Sequence, residues 1–442
     1  MTSSDTIYAL SSGAGLAAVA IIRVSGPKSG EVVKALCSTL PVPRRATHTA
    51  LHAADGSVID NGLTLWFPGP RSFTGEDTAE FHLHGGLAIV EAMFHRLEGM
   101  AGLRAAGPGE FTRRAFANGK MDLLEAEGLA DLIAAKSERQ RRQALFHSGG
   151  QASAAFGEWR RQIVEILARL EAGIDFVEEA DVAVEAWAKA EVGVSTLLDQ
   201  IEREIDRGVG GERLRRGLTV VIAGPPNVGK SSLLNALAGR NAAIVSDIPG
   251  TTRDIVEVAM TLGGLPVTLR DTAGLRPASA DPLEVIGMGR TRTAMEEGDL
   301  VLWLASPDVE GEPPGEPIDS DTLWIWSKCD LKAWAGNRRG AEPLAVSARS
   351  GAGLQHLETE IVRRLTRRVS DADGALVTRQ RHRDCLVAMR DHLRTATARS
   401  ERELELMAED LRLAARALAA IAGHVDVESL LDAIFREFCI GK

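Results

Sequence analysis

The stretch VVIAGPPNVGKSSLLNAL, residues 220–237, joins an apolar strand-like run to an amphipathic helix-like run through the segment Gly224 to Ser231. A glycine, four intervening residues and then Gly-Lys-Ser is a spacing suited to phosphate. Gly224 and Gly229 let the backbone curl around phosphate oxygens, while loop amides and a helix start supply positive potential. Lys230 is placed to reach β- and γ-phosphates, and the Ser231 hydroxyl to hold Mg²⁺. The motif carries weight only between a strand and a helix, and both patterns flank it here.

Three later patches follow in the order a GTP site needs. In GTTRD (250–254), Thr252 is the candidate second hydroxyl for the metal. In DTAG (271–274), Asp271 stands behind a magnesium water and the Gly274 N–H near the γ-phosphate. In SKCD (327–330), Asp330 can accept from guanine N1 and the exocyclic amine, and SAR (347–349) completes the base pocket. This set favours GTP over ATP. Ser327 stands where an asparagine is usual, and its shorter hydroxyl cannot reproduce the paired contacts of an amide. The residue after DTAG is Leu275, which cannot orient water as a glutamine does at that position. Water positioning and charge neutralisation must come from elsewhere, with Arg253 and Arg276 as candidates in cis.

Such loops need a sheet to hold them. From Leu218 to about Arg367, the strand-like runs LTVVIAG, PVTLRDTAG, LVLWLA and TLWIWSKCD alternate with helical ones, the rhythm of an open α/β sheet. SPDVEGEPPGEPIDSD (306–321) reads as a polar, acidic loop within it. Residues 1 to about 118 carry short apolar runs such as VAIIRV and TLWF broken by Gly and Pro, which predicts a small α+β domain. From Met121 to about Arg207 the pattern is helical, with Ile163, Ile166, Leu167, Leu170 and Ile174 at helical spacing. Helical periodicity resumes after VTRQRHRD (377–384), so the economical architecture inserts the α/β unit into one helical domain.

Composition narrows the function classes. A chain of 442 residues exceeds one ordinary core, and 45% hydrophobic with 25% charged residues is ordinary for a globular protein. Aromatics at 4% argue against a broad base-stacking platform. A net charge of −10 gives no global pull towards RNA or anionic lipid, so a nucleic-acid partner needs a local basic face. Candidates are ERQRRQ (138–143) and VTRQRHR (377–383), each of which also reads as a solvated helix face. Cys37, Cys329, Cys385 and Cys439 are scattered, which fits a reducing, cytoplasmic setting without structural zinc. His82 and His84 share a strand face but lack further ligands nearby in sequence. AGLAAVAII near the N-terminus is too short to span a bilayer. Cys439-Ile440-Gly441-Lys442 occupies the register of a prenylation signal, but Lys442 is not a usual final residue.

RSFTGEDTAEFHLHGG (71–86), GPGEFTRRAFANGKMDLLEAEGLADLI (107–133), IDFVEEADV (174–182) and the closing FCIGK resemble signatures of the bacterial and organellar tRNA uridine-modification GTPases called MnmE or TrmE. The resemblance spans essentially the whole chain and implies a multidomain α/β protein. Its parts would be an α+β folate-binding-like domain at 1–118, a helical domain at 119–216 and 369–442, and an inserted Ras-like P-loop G domain at 217–368. It implies a homodimer, made through the first domain, that acts with a flavin-dependent partner in a heterotetramer. Their product would be a carboxymethylaminomethyl-type group at C5 of the wobble uridine (U34) of certain tRNAs.

Site residues carry over on the same terms. The resemblance implies that 5-formyltetrahydrofolate, or a related one-carbon folate, meets Arg23, Glu80, Lys120 and Lys442. A carboxylate can pair with the pterin's amino-pyrimidine edge and cations with folate carboxylates. Taken alone, Arg23 and Lys120 read equally as surface ion pairs, and Glu80 as a solvent-facing strand residue. The resemblance implies a K⁺-dependent association of G domains, with Asn227 and oxygens of Ser246, Ile248 and Thr251 around the ion. It implies that Glu284 in PLEVIG orients water, and it puts Lys230, Glu284 and Cys439 in catalytic roles, the thiol's own part left open. The nucleotide pocket then runs over Asn227, Val228, Gly229, Lys230, Ser231 and Ser232, and over Ser246, Asp247, Ile248, Pro249, Gly250, Thr251 and Thr252. Asp271, Thr272, Ala273 and Gly274 follow, then Ser327, Lys328, Asp330, Ser347, Ala348 and Arg349. Two rival readings are a ribosome-assembly GTPase, which leaves PGEFTRRAF and FCIGK unexplained, and a GTP-gated scaffold whose partner does all the chemistry on tRNA.

Overall fold

The computed structural model describes residues 5–13, 15–175, 180–240, 256–271, 295–309, 322–334, 342–423, 431, 434–435, 438 and 440–441. Two compact units emerge: one from Met1–Ala130, His147–Arg160 and Ala415–Lys442, the other from Asp131–Phe146 and Arg161–Ala414. No helix among the described residues is long and apolar enough to cross a membrane.

In the first unit, β1 (Thr6–Leu10), β2 (Ala17–Ser25), β3 (Thr47–His52), β4 (Val58–Phe67), β5 (Thr78–Gly85) and β6 (Leu103–Ala105) form one sheet in the order β3-β4-β5-β2-β1-β6. Only the β1–β6 pair is parallel. Strict alternation decides what each face carries. Ala20, Ile22 and Val24 of β2 and Ala79, Phe81 and Leu83 of β5 are buried. Ile22, Val24, Ala79, Phe81 and Leu83 pack with Val32, Val33 and Leu36 of α1 (Ser29–Cys37) and Met93 and Leu97 of α2 (Leu87–Glu98). The residues between them, Arg23 on β2 and Glu80 on β5, therefore project from the opposite face and are direct cross-strand neighbours. On that face Ile7 and Ala9 of β1 pack on Phe111 of α3 (Glu110–Ala117).

The second unit holds the predicted α/β sheet. Its strands are β7 (Leu218–Ala223), β8 (Val256–Leu262), β9 (Leu265–Asp271), β10 (Leu300–Ala305), β11 (Thr322–Trp326) and β12 (Leu344–Ala345), in the order β12-β11-β10-β7-β9-β8. All pairs are parallel except β8–β9. Every residue of β7 but Thr219 is buried, as expected for a central strand covered on both faces. Covering helices include α8 (Lys230–Arg240) and a later one, Leu354–Arg368, whose Leu354, Leu357, Ile361 and Leu365 repeat at helical spacing.

The helical stretches predicted around this sheet are present. They comprise α4 (Leu123–Ala134), α5 (Glu138–Ser148), α6 (Gln151–Asp175) and the 37-residue α7 (Ala180–Arg216). After the Leu354–Arg368 helix, α9, come α10 (Gln380–Thr397) and α11 (Leu404–Ile421). Ala190, Val194, Leu197 and Ile201 of α7 make a buried stripe, and α10 packs on α7 with its own buried Leu386, Met389, Leu393 and Ala396. In α6, Ile163, Ile166 and Leu170 are buried as the spacing predicts, while Leu167 and Ile174 are half-buried at the stripe's margin.

Candidate functional site

The loop after β7 leaves the sheet beside its central strand, where the neighbours β9 and β10 diverge. Crevices beyond the carboxyl ends of parallel strands at such a reversal are where open α/β sheets take ligands. Gly224 has φ +141, and a Cβ there would sit 2.5 Å from the Leu304 carbonyl of β10. No side chain fits, so the glycine spacing has a steric cause. Asn227 takes a left-handed φ of 62, a conformation asparagine tolerates better than most residues. Lys230 is buried, and its ammonium donates to the carbonyls of Gly224 (3.0 Å) and Pro225 (2.8 Å). The loop thus closes on its own lysine, and the first-turn amides of α8 face the space a phosphate would fill.

The Ser231 hydroxyl donates to Asp271 Oδ2 at 2.6 Å, joining the start of α8 to the end of β9. A hydroxyl and a carboxylate at this separation are hard oxygen donors of the kind Mg²⁺ takes beside phosphate. These residues fit the metal. Ser232 is exposed on the same turn and Val228 is buried beneath it.

The base-side loops follow β11 and β12. Ser327 is held by its N–H to the Ala305 carbonyl (2.7 Å), and its hydroxyl lies 3.0 Å from where a Cβ on Gly229 would be. The serine therefore abuts the phosphate loop. Lys328, at φ 55, donates to the Asn227 carbonyl (2.7 Å) and to Asp308 Oδ2 (2.6 Å). Asp330 is exposed at the loop's end. Ser347 is fully buried, and its hydroxyl accepts from the Ser350 N–H, fixing a turn that leaves Ala348 half-buried and Arg349 exposed. Asp308 is a residue the sequence did not single out. Its only signal was an acidic group just past an apolar strand, which read as ordinary loop.

In the first unit Arg23 and Glu80 pair with each other at 2.9 Å. The Arg23 guanidinium lies over the rings of Phe73 (5.2 Å) and Phe111 (5.6 Å), and His82 Nε2 is 3.4 Å from Glu80. Lys120 donates to the Pro70 carbonyl (3.1 Å). A network missed by the sequence fixes this region. Arg114, almost fully buried, bonds Asp5 (2.8 Å), Glu110 (3.1 Å) and Glu76 (3.3 Å), and Ser25 donates to Glu76 (2.8 Å). Burial pushes the Glu110 carboxyl up, but hydrogen bonds from Arg104, the Gly107 N–H and Arg114 outweigh it and hold the group below its ordinary range. Glu76, Glu110 and Arg114 sat inside the RSFTGED and PGEFTRR signatures without a recognisable chemical spacing.

The closing segment reaches this domain. Ile440 bridges Pro108, the Ser11 hydroxyl donates to the Gly441 carbonyl (3.0 Å), and Gly441 has φ +96. Phe435 and Phe438 pack with Leu123 and Ala126 of α4. Several candidates lie outside the described residues: Ser246, Asp247, Ile248, Pro249, Gly250, Thr251, Thr252, Arg253, Thr272, Ala273, Gly274, Leu275, Arg276, Glu284, Cys439 and Lys442.

Other candidates resolve towards structure. His84 pairs with Asp60 (2.9 Å), and no group of three or more metal-ligating side chains occurs among the described residues. In the basic stretches, Arg139 meets Asp373, Arg141 and Arg142 meet Glu138, Arg379 meets Asp131 and Arg383 meets Glu212. These are intramolecular ion pairs, exposed at Arg141 and Arg142 and mostly buried at Arg139 and Arg379.

A P-loop at the switch point of a six-stranded, mostly parallel sheet, set between helical stretches and preceded by an α+β domain, defines a three-domain GTPase. Residues 6–120 match the family model for the GTP-binding protein TrmE N-terminus, and residues 123–439 match the MnmE helical domain. The tRNA modification GTPase MnmE of Azorhizobium caulinodans is 48% identical over 441 residues, covering 100% of this chain and 99% of its own. That of Phenylobacterium zucineum is 47% identical over 449 residues, covering 99% and 100%. That of Brucella melitensis is 46% identical over 442 residues, covering 99% and 98%. The chain belongs to the tRNA modification GTPase MnmE family.

Proposed function

We propose that this GTPase, working as a homodimer with a flavin-dependent partner protein in a heterotetramer, installs a carboxymethylaminomethyl-type group at C5 of the wobble uridine, U34, of certain tRNAs. The observation that carries the reading is the Ser231–Asp271 pair at 2.6 Å, which ties the phosphate loop to the end of β9, in a chain matched end to end by tRNA modification GTPases. Functional divisions fall at 1–118, 119–216, 217–368 and 369–442. Ser231 and Thr252 hold Mg²⁺, which supplies charge neutralisation between phosphates when bound. Asn227 with oxygens of Ser246, Ile248 and Thr251 holds K⁺, and Glu284 orients the attacking water that Leu275 cannot. Lys230 grips the β/γ-phosphates, and Asp330 reads guanine.

In the first domain the Arg23–Glu80 pair is the folate anchor. Each partner is one-fifth exposed or less, so an arriving pterin exchanges one satisfied charge pair for another rather than leaving a bare charge. Lys120 and Lys442 meet the folate carboxylates, with Cys439 beside them at the modification step. Reaction occurs in the cytoplasm.

The test is nucleoside analysis of tRNA from cells lacking the protein. The C5-modified wobble nucleoside should vanish and return with the wild-type chain but not with Lys230→Ala. An unchanged nucleoside profile on deletion overturns the reading. Return with Lys230→Ala would show that hydrolysis is dispensable.

A further inference from the structure

A cleft of about 480 Å³ opens between α7 and α9, lined by no residue of the loops assigned above. Arg207 and Arg213 line it from α7, and Arg363, Arg364, Arg367 and Arg368 from α9. Lining carboxylates are Asp206 and Asp371. The chain as a whole carries −10, so this concentration of cations is local and against the trend.

Spacing sharpens the point. Arg363 and Arg367 are i,i+4 on α9, and so are Arg364 and Arg368, which stacks like charges one turn apart at a cost to the helix. Neighbouring carboxylates only part-satisfy the set. Glu360 is shared by Arg363 and Arg364, and Asp299 by Arg213 and Arg216 while it also accepts the Thr219 N–H. Glu204, the partner of Arg207, is turned inward to the Leu376 N–H. Backbone carbonyls take more, that of Asp373 from Arg207 and that of Thr322 from Arg364. A guanidinium, however, has five N–H donors in a fork suited to phosphate oxygens, and Arg363 gives Glu360 only two of its five. The side chains of Arg207 and Arg363 are 43% and 46% exposed, which leaves the cleft open to a large ligand. Among the described residues no aromatic ring lines it and Val209 is its one apolar side chain, so none of them stacks a base.

We propose that the α7–α9 cleft binds backbone phosphates of RNA, which under the function proposed above means the tRNA substrate. It positions the tRNA without reading sequence, because phosphate contacts fix register and carry no base information.

The test uses the full chain, Arg363→Gln/Arg367→Gln and Arg363→Lys/Arg367→Lys, titrated with a tRNA transcript across a salt series. The glutamine pair should weaken tRNA binding roughly tenfold at low salt and make the slope of log affinity against log salt shallower by about 1.5, two phosphate contacts being lost. The lysine pair should keep the wild-type slope. GTP turnover without tRNA should match wild type in both. Equal affinity and slope in the glutamine pair overturn the proposal. Pyrophosphate that binds wild type and not the glutamine pair, with tRNA binding unchanged, overturns it in favour of a small-anion site. A wild-type chain that binds no tRNA overturns the tRNA reading itself, and this proposal with it.

Discussion

The ammonium of Lys328 donates to the backbone carbonyl of Asn227 at 2.7 Å, fastening the base-side loop to the phosphate loop. The same Nζ meets Asp308, which also accepts from Ser306, and both bonds hold the Asp308 carboxyl below its ordinary range. Where a serine replaces the usual asparagine at 327, this lysine is the described side-chain link between the two loops. Lys328→Met should weaken GTP about tenfold or more, the scale of one charge-assisted hydrogen bond. Titration with a fluorescent guanine nucleotide checks it, and an unchanged dissociation constant would show the tie to be incidental.

Asp330 ends the same loop, exposed and directed by it. Asp330→Asn should disfavour GTP and favour xanthosine triphosphate, because the donor–acceptor pattern facing the base's N1 and C2 substituent is reversed. Ser327→Asn should retain the guanine preference and, if anything, tighten it. Competition binding of the two triphosphates decides; an unaltered preference in Asp330→Asn removes the aspartate from the base pocket.

The proposed potassium dependence rests on Asn227, which is exposed in the phosphate loop and has a left-handed backbone. Hydrolysis should be slow in Na⁺ and faster in K⁺, with G-domain association on a transition-state mimic. Asn227→Ala should erase the cation preference and spare much of the affinity, since Lys230 and the loop amides remain. Glu284→Ala should slow turnover at every K⁺ concentration. A wild-type rate indifferent to cation identity would refute the activation account and leave the phosphate loop standing.

Legibility varied with the range of the interaction. The phosphate loop was readable because its chemistry and its steric demands fall within the contiguous Gly224–Ser231, whereas Arg23 and Glu80 read separately, as a member of a surface ion pair and a solvent-facing strand residue. Their pairing was not readable. It depends on a strand register that brings together residues 57 positions apart, which no local spacing encodes. The Arg114 network and the α7–α9 cleft were invisible for the same reason: Arg207 and Arg363 meet only after a sheet has folded between them. The basic stretches 138–143 and 377–383 drew notice as runs of charge; Arg141 and Arg142 pair locally with Glu138, whereas Asp373 and Glu212, the partners of Arg139 and Arg383, lie far away in sequence.

Glu110 gives the first domain an acid sensitivity. Its folded pKa is depressed below the ordinary 4.5, so its contribution is fully present above that value and lost as pH falls through the folded one. Glu110→Gln should cost about 1–3 kcal/mol near neutral pH by stranding the donors of Arg104, Gly107 and Arg114. The gap from wild type should narrow as pH falls below the ordinary 4.5 and through the lower folded value, as the wild-type carboxyl also becomes neutral. Denaturant unfolding at several pH values measures both, and a gap constant down to strong acid would assign the loss to packing.

Gly441 is the residue on which docking of the closing segment turns. A Cβ there would lie 2.1 Å from the Leu10 carbonyl, and φ +96 is a conformation that other L residues rarely adopt. Backbone contact on this scale cannot be relieved by a side-chain rotation, so Gly441→Ala must lift the segment from the end of β1. The Ser11–Gly441 hydrogen bond and the Pro108–Ile440 bridge should go with it. Nothing in that change touches Lys230, Ser231 or Asp271. K⁺-stimulated GTP hydrolysis should therefore be retained while wobble-uridine modification falls sharply, and Cys439 should react faster with a maleimide than in wild type. Unaltered alkylation would mean that the segment stays docked despite the clash. Faster alkylation with full modification would free Cys439 and its neighbours from any role in the chemistry.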